Sequence, residues 1–475
     1  MNLAMLAAFI CYMLTLIGIG IWASKKSRPT AHSTDFIVGN RSINYWVTAI
    51  SAHAADMSDW LFMAFPAAIY MQGSFNIWIA IGLVLGMLMT WQFIAPVLHR
   101  ATAKYDSTTL TGYFETKYNE TSGRISVLSS IIMAFFFTVY LAAGIKGAGY
   151  LLNSSFGINY YIGAGLSVAV SIFYALIGGY VAAAWVDFFQ GIFLLVAVVI
   201  TPIIGYFAVG GSSAIVAAAA QKNISLSLIP DFHAFVGILL QPIVWGLGYF
   251  GMPHILSKFM GAQNADEMYK SKYIGITWQI IALTGATLSG FVGLAFFTAI
   301  EKPELLFITM TQTLFPAFIT GLILCGILAA TLSTMNSQIL VLAGVIANDL
   351  YKKYTRPHAT NSDVLFVFNA SILLVSLFAF CVSLNQQGTI FGLVQFAWGG
   401  LGASFGPLTL LSLYYSHINR HGAFWGIIAG GTTAVVWKYF NPLIWGLSVN
   451  EMGPGFLVGL VTIVIVSHLT AHKNN

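Results

Sequence analysis

The chain has 475 residues; 58% are hydrophobic, only 7% are charged, and the net charge is +5. A soluble globular domain carries about 25% charged residues, so this composition excludes a soluble enzyme and points to an all-α protein that crosses a lipid bilayer many times. The small positive excess is no sign of a nucleic-acid partner; where it sits along the chain matters more than its sum.

In chain order, the apolar runs predict thirteen membrane spans, each near the roughly 20 residues that a helix needs to cross. They cover 3–24, 44–71, 75–98, 124–152, 158–181, 186–209, 233–256, 274–300, 317–348, 364–385, 390–414, 421–440 and 453–470. The first run has no positive charge before it and is followed by Lys25, Lys26 and Arg28, the pattern of a retained helix rather than a cleaved signal peptide. Cys11, Cys325 and Cys381 lie in apolar runs without CxxC or metal-ligand spacing and are expected to be buried, inert thiols.

The basic residues test this parse. With the N-terminus outside, sixteen of the twenty fall on the cytoplasmic side: Lys25, Lys26, Arg28 and Arg41; Arg100, Lys104, Lys117 and Arg124; Lys258, Lys270 and Lys272; Lys352, Lys353 and Arg356; Arg420; and Lys473. Lys222 and Lys302 fall outside, and Lys146 and Lys438 near span ends. An odd span count satisfies the positive-inside rule; an even one spoils it. Of the fifteen acids, only Asp56, Asp59 and Asp187 fall within spans. Asp187 is expected at the start of the sixth span, where a carboxylate suits the positive end of the helix dipole. Asp56 and Asp59 lie deep, where an ionised group costs a few kcal/mol. They mark either a functional site or a structural cap or pair.

The stretch around them, "AHAADMSDWLFM" (52–63), is rich in small residues. Its polarity suggests a helix interrupted in mid-membrane, tolerable only around a cavity, and such breaks hold substrate and coupling ion in transporters. Pro66 fits a kinked outer half. The seventh span, "QPIVWGLGYFGMPH" (241–254), packs Pro242, Gly246, Gly248, Gly251 and Pro253 together and is expected to be discontinuous. Spans two to six and seven to eleven then form two groups of five, each headed by a broken span, which is an inverted-repeat layout. The chain divides into a first helix and loop (1–43), one repeat (44–210), a second repeat (233–414) and two C-terminal helices with a tail (421–475), all within one transmembrane domain, 1–475. "GLGYFG" matches G-x-G-x-x-G, but no strand and no soluble βαβ unit surround it, so it is not a dinucleotide site.

In the ninth span, "GILAATLSTMNSQ" places Ala330, Ser333, Thr334 and Ser337 on one helix face. That face offers oxygen ligands to a hard cation such as sodium; equally, small and hydroxyl residues let membrane helices pack closely. Tyr140, Trp245 and Tyr249 are aromatics that either wall a small pocket or fill core. No nucleophile–base pair, HExxH or P-loop is present, so no reaction chemistry is visible.

"ADMSDWLFM" (55–63), "FFTVYLAAGI" (136–145), "IGGYVAAAWVDFFQ" (177–190), "WGLGYFGMPH" (245–254), "LAATLSTMNSQ" (328–338) and "WGGLGASFGP" (398–407) together resemble the sodium:solute symporter family and, within it, the bacterial sodium/proline symporters. The likeness runs along almost the whole chain. It implies thirteen helices with a LeuT-like core. It implies that Asp56 is the carboxylate needed for sodium affinity. Ala54, Met57 and Ala330 would offer carbonyls, and Ser333 and Thr334 hydroxyls, to the sodium. Ser58, Trp60, Tyr140, Trp245, Tyr249 and Pro253 would shape the proline pocket, and Arg41 and Asp187 would be sensitive positions on the cytoplasmic side.

Two residues depart from that pattern: Asp59 stands where glycine is expected and Lys146 where an apolar residue is expected. They compensate each other, or Asp59 faces the pocket and alters the substrate, or Asp56 and Asp59, one turn apart, share a single charge. The resulting expectation is a sodium-coupled symporter for a small solute, L-proline foremost. It would be multi-pass in a bacterial inner membrane, N-terminus outside and C-terminus cytoplasmic, with sodium as coupling ion and no other cofactor. The alternatives are a symporter of this family for another amino acid or small carboxylate, a proton-coupled one, and a solute sensor without net transport.

Overall fold

The structure is a computed structural model in which residues 2–26, 37–229, 232–440, 443–444 and 447–471 are described. Arg28 and Lys473, counted above among the cytoplasmic basic residues, lie outside the described residues. Helix dominates the rest. α1 (Leu3–Lys26) is followed by a turn at Gly39–Arg41 and by α2 (Tyr45–Met57). The Asn44 side chain caps α2 by accepting from the Val47 amide at 3.0 Å. α2 stops at Ser58, a short 3-10 turn covers Asp59–Leu61, and α3 runs over Ala64–Gln72. Pro66 sits in the first turn of α3, where no helical partner for its nitrogen is needed. It belongs to a helix start, not to the kink expected there.

α4 (Ile77–Met89) passes through a π turn, Thr90–Ile94, into α5 (Ala95–Lys104), and the short α6 (Leu110–Lys117) follows. α7 spans Arg124–Phe156. α8 covers Tyr160–Ala208 and is broken at Gly179, whose φ of 53° and ψ of −167° suit glycine alone. The expected gap between the fifth and sixth spans, 182–185, is helical; the chain turns earlier, at Gly179. α9 (Ser212–Gln221) is short.

α10 (Phe232–Leu247) gives way to a 3-10 turn, Gly248–Gly251, and α11 (Pro253–Met260) restarts on Pro253. The predicted second break is therefore present, and proline occupies the first helical position, where its missing N–H is no loss. α12 (Met268–Phe296), α13 (Leu306–Leu314) and α14 (Ala317–Gly344) follow, with α14 continuing as a π-helical stretch, Val345–Thr355. α15 (Asn361–Ser383), α16 (Ile390–Tyr414), α17 (Arg420–Phe440), the two-residue strands β1 (Leu443–Ile444) and β2 (Leu447–Ser448), and α18 (Met452–Leu469) complete the chain.

α14 lies at the centre, buried almost all round from Thr320 to Gly344, and α8, α7, α1 and α2 pack against it. α1, α15 and α18 keep mostly exposed apolar surfaces, as helices facing lipid do. Nine helical stretches among the described residues are long and apolar enough to cross a membrane. The other expected ranges are also helical, as shorter or interrupted pieces. Cys325 is buried as expected, but Cys11 and Cys381 are exposed on outward helix faces.

Candidate functional site

The site begins where α2 fails to continue. Ser58 has a φ of 46°, a conformation costing a non-glycine residue about 1–3 kcal/mol unless its surroundings impose it. They do: the Ser58 amide donates to Thr334 Oγ1 on α14 at 3.1 Å. In an unbroken helix that amide would close on the Ala54 carbonyl. The Thr334 hydroxyl in turn donates to the Ala330 carbonyl at 3.1 Å, and Ser58 Oγ accepts from the Trp60 amide at 3.2 Å. Ser333 Oγ is buried nearby with no hydrogen-bond partner among the described residues. The break thus gathers the C-terminal carbonyls of α2, Ala54 and Met57 among them, beside the hydroxyl face of α14.

The second break meets the first. Tyr249, in the 3-10 link between α10 and α11, donates from its hydroxyl to Asp56 Oδ2 at 2.6 Å and accepts from Gln279 Nε2 at 3.0 Å. Tyr140 of α7 donates to the Asp56 carbonyl at 3.4 Å. Asp56, Met57, Trp60, Tyr140, Trp245 and Tyr249 line a small cavity together with Leu83, Val394 and Trp398. Trp60 and Trp245 of its wall pack with Phe391, which lies outside the lining, into a three-ring aromatic roof: the ring centroids lie 5.8 Å apart for Trp60–Trp245 and 5.7 Å for Trp245–Phe391. Beyond the roof lies a much wider cavity, bordered by Phe391, Gln72, Tyr150, Lys302, Glu304, Gln395 and Glu451 among others.

Several expected residues fall elsewhere. Pro253 is buried at the start of α11 and does not line the small cavity. Asp59 is also absent from its lining; the residue is fully buried, its carboxylate rests on Gly147, and neither oxygen has a hydrogen-bond partner among the described residues. Lys146 does not neutralise it: its ammonium donates to the carbonyls of Gln386, Gln387 and Gly388.

At the opposite, basic end, Arg41 donates to the Met260 carbonyl at 2.9 Å, to Thr102 Oγ1 at 3.2 Å and to the Ser107 carbonyl at 3.1 Å. Ile43 and Ala262 pair as an isolated bridge, and the Gln263 amide donates to the Ile43 carbonyl at 2.8 Å. Asp187 is not at a helix start. It lies about two turns beyond the Gly179 break, wholly buried, in a 2.7 Å ion pair with Lys258 of α11. Lys258, expected in a solvated loop, is buried with it. Ser337 Oγ donates to the same Asp187 oxygen at 3.4 Å. The polar face of α14 therefore serves two neighbours, Thr334 toward α2 and Ser337 toward α8.

Sequence reasoning missed Trp398, whose Nε1 donates to the Trp245 carbonyl at 3.2 Å, and Phe391. Both are aromatics of the eleventh span; Trp398 opens the stretch 398–407 that carries part of the resemblance, but neither ring stands out there as a pocket residue. Leu83 and Val394 are ordinary apolar residues that carry no signal of their own.

Residues 36–430 match the sodium:solute symporter family. The sodium/proline symporter of Escherichia coli (strain K12) is 37% identical over 476 residues, covering 98% of this chain and 93% of that protein. The high-affinity proline transporter PutP of Bacillus subtilis (strain 168) is 38% identical over 464 residues, covering 95% of each. A Na+-coupled sialic acid symporter solved in a substrate-bound outward-open state superposes with a TM-score of 0.81 at 19% identity, over 99% of this chain and 98% of that one. MhsT in complex with L-phenylalanine gives 0.56 at 14% identity, over 90% and 98%. The two solved structures show a shared LeuT-like helical fold.

Proposed function

We propose a function for this chain on one premise: it belongs to the sodium:solute symporter family. It is a secondary transporter, not an enzyme, and it couples the uptake of L-proline to sodium entry. The observation that carries this reading is the junction of the two helix breaks, with Ser58 tied to Thr334 and Tyr249 tied to Asp56. The curated relatives named as proline transporters support the choice of solute.

Sodium sits between the end of α2 and the polar face of α14. The carbonyls of Ala54, Met57 and Ala330 and the hydroxyls of Ser333 and Thr334 supply the oxygen ligands that a hard cation requires. Asp56 adds negative charge beside them while its Oδ2 holds Tyr249. The solute occupies the roofed cavity against Trp60, Tyr140, Trp245 and Tyr249. Ser58 acts through the break and Pro253 through the start of α11; Asp59 shapes the pocket from behind, through its contact with α7. Because the Ser58–Thr334 contact lies at the edge of both places, sodium that orders the break also completes the solute pocket, and each ligand favours the state the other needs.

Thirteen crossings, with the N-terminus outside, put the basic end in the cytoplasm of a bacterial cell. The repeats 44–210 and 233–414 move against each other within a single domain, and Arg41 and the Asp187–Lys258 pair close the cytoplasmic side. One charge crossing 100 mV yields about 2.3 kcal/mol, and a tenfold sodium gradient adds about 1.4 kcal/mol. Their sum, about 3.7 kcal/mol, supports accumulation of several hundred-fold. A competition panel against labelled proline uptake tests the solute. Displacement by proline and close ring analogues alone is expected; stronger displacement by another amino acid or a small carboxylate would move this chain to a different solute.

A further inference from the structure

Lys146 lies within α7 with 1% of its surface exposed. A lysine is almost never buried this far without partners. Its partners here are three consecutive backbone carbonyls, Gln386 at 2.7 Å, Gln387 at 3.3 Å and Gly388. They belong to the link between α15 and α16, where Gly388 at φ 77° turns the chain. Two residues on, the Ile390 amide donates to Glu304 Oε1 at 2.6 Å. Glu304 comes from the turn Pro303–Leu305; burial holds its carboxyl above the ordinary value, and the Ile390 amide and Lys146 draw it back down. The next residue is Phe391, which packs on Trp60 and Trp245 of the small cavity from the side of the wider one.

Two charged groups from two other elements thus grip one short segment, 386–390, immediately before the residue that roofs the cavity. The grip can be released. Lys146 is buried, but residues 386–389 are exposed, so water can replace the ammonium at the carbonyls when the segment swings away. A wholly buried clamp would have no such alternative.

We propose that Lys146 and Glu304 form a latch that positions Phe391 over the cavity, so that access from the wide outer cavity is set by making and breaking these contacts. The proposal rests on the reading of the roofed cavity as the solute site. Lys146 is a positioning residue: it touches the segment before the roof, not the solute.

The test uses the full-length protein in proteoliposomes, with Cys11, Cys325 and Cys381 replaced and Val394→Cys placed in the cavity wall as a reporter. The rate of its reaction with a membrane-impermeant maleimide added outside is read without solute. Lys146→Met is expected to speed labelling about tenfold or more, Glu304→Gln by a smaller factor, and Lys146→Arg to stay near the parent rate. In parallel the KM for proline is expected to rise with Lys146→Met while Vmax stays within about twofold. Unchanged labelling in both Lys146→Met and Glu304→Gln overturns the latch. If Lys146→Met does not reach the membrane, Glu304→Gln decides by the same criterion. Faster labelling, where the chain without the reporter cysteine moves no proline, supports the latch and removes the proline reading, so the two failures are told apart.

Discussion

The Asp59 carboxylate occupies the space that a Cβ on residue 147 would need, and only glycine leaves room for it. The acid that departs from the expected pattern therefore has its complement on α7, in a backbone position beside Lys146 rather than in the lysine side chain. Gly147→Ala is expected to destabilise the protein by about 1–3 kcal/mol through overpacking. Asp59→Gly in the same chain should restore most of that loss. Thermal unfolding of the purified single and double variants checks this, and additive effects would contradict the contact. Asp59→Gly alone is expected to change the solute KM; an unaltered KM and solute range would remove Asp59 from the shaping of the pocket.

Tyr249→Phe removes the donor that spans 2.6 Å to Asp56 Oδ2. A hydrogen bond to a carboxylate is worth about 1.5–3 kcal/mol, so the concentrations of sodium and of proline giving half-maximal uptake should both rise, by about one order of magnitude or more. Initial uptake rates over a sodium series at two proline concentrations measure this. A fall in Vmax with both half-saturation values unchanged would place Tyr249 in the movement instead of the site.

Thr334→Val keeps the shape of the side chain and deletes the oxygen that accepts from the Ser58 amide. The amide is left buried without its partner, at a cost of about 1–3 kcal/mol, and the proposed sodium loses a ligand. Sodium activation should weaken about tenfold or more, while Thr334→Ser should stay close to the parent. Equal sodium dependence in the Val and Ser variants would separate the hydroxyl from the ion.

Asp187 and Lys258 form a wholly buried pair at 2.7 Å. Asp187→Asn or Lys258→Met alone strands one charge and should cost about 3–5 kcal/mol. The double variant should lose much less than the sum, because neither charge is then stranded. Unfolding temperatures of the three variants provide the measurement, and strict additivity would contradict the pairing.

What could be seen in the sequence follows the range of the interactions involved. The break in the seventh span is local chemistry: Gly248, Gly251 and Pro253 carry it themselves, and the structure breaks there. The break at Ser58 has no such local cause. Its polarity announced a site, but its geometry comes from Thr334, which is 276 residues away in sequence. In the sequence Asp187 reads as a helix-start acid, because its partner, Lys258, lies 71 residues away and reads as a loop cation. The turn at Gly179 is hard to place from sequence because "GGYVAAAW" carries no charge to mark a loop end. Aromatics such as Trp60, Tyr140 and Trp245 stood out by type and do meet in one cavity. Leu83 and Val394 join them only through the packing of α4 and α16, which no single stretch encodes.

The central claim is that solute uptake is driven by sodium through the site between α2 and α14. Radiolabelled L-proline uptake by the purified full-length protein in liposomes, with and without an inward sodium gradient at fixed pH, tests it most directly. Accumulation above equilibrium with the sodium gradient, and its loss when sodium is replaced by potassium or when Thr334→Val is used, is the predicted result. Uptake that continues without sodium and collapses with an imposed pH gradient would contradict it.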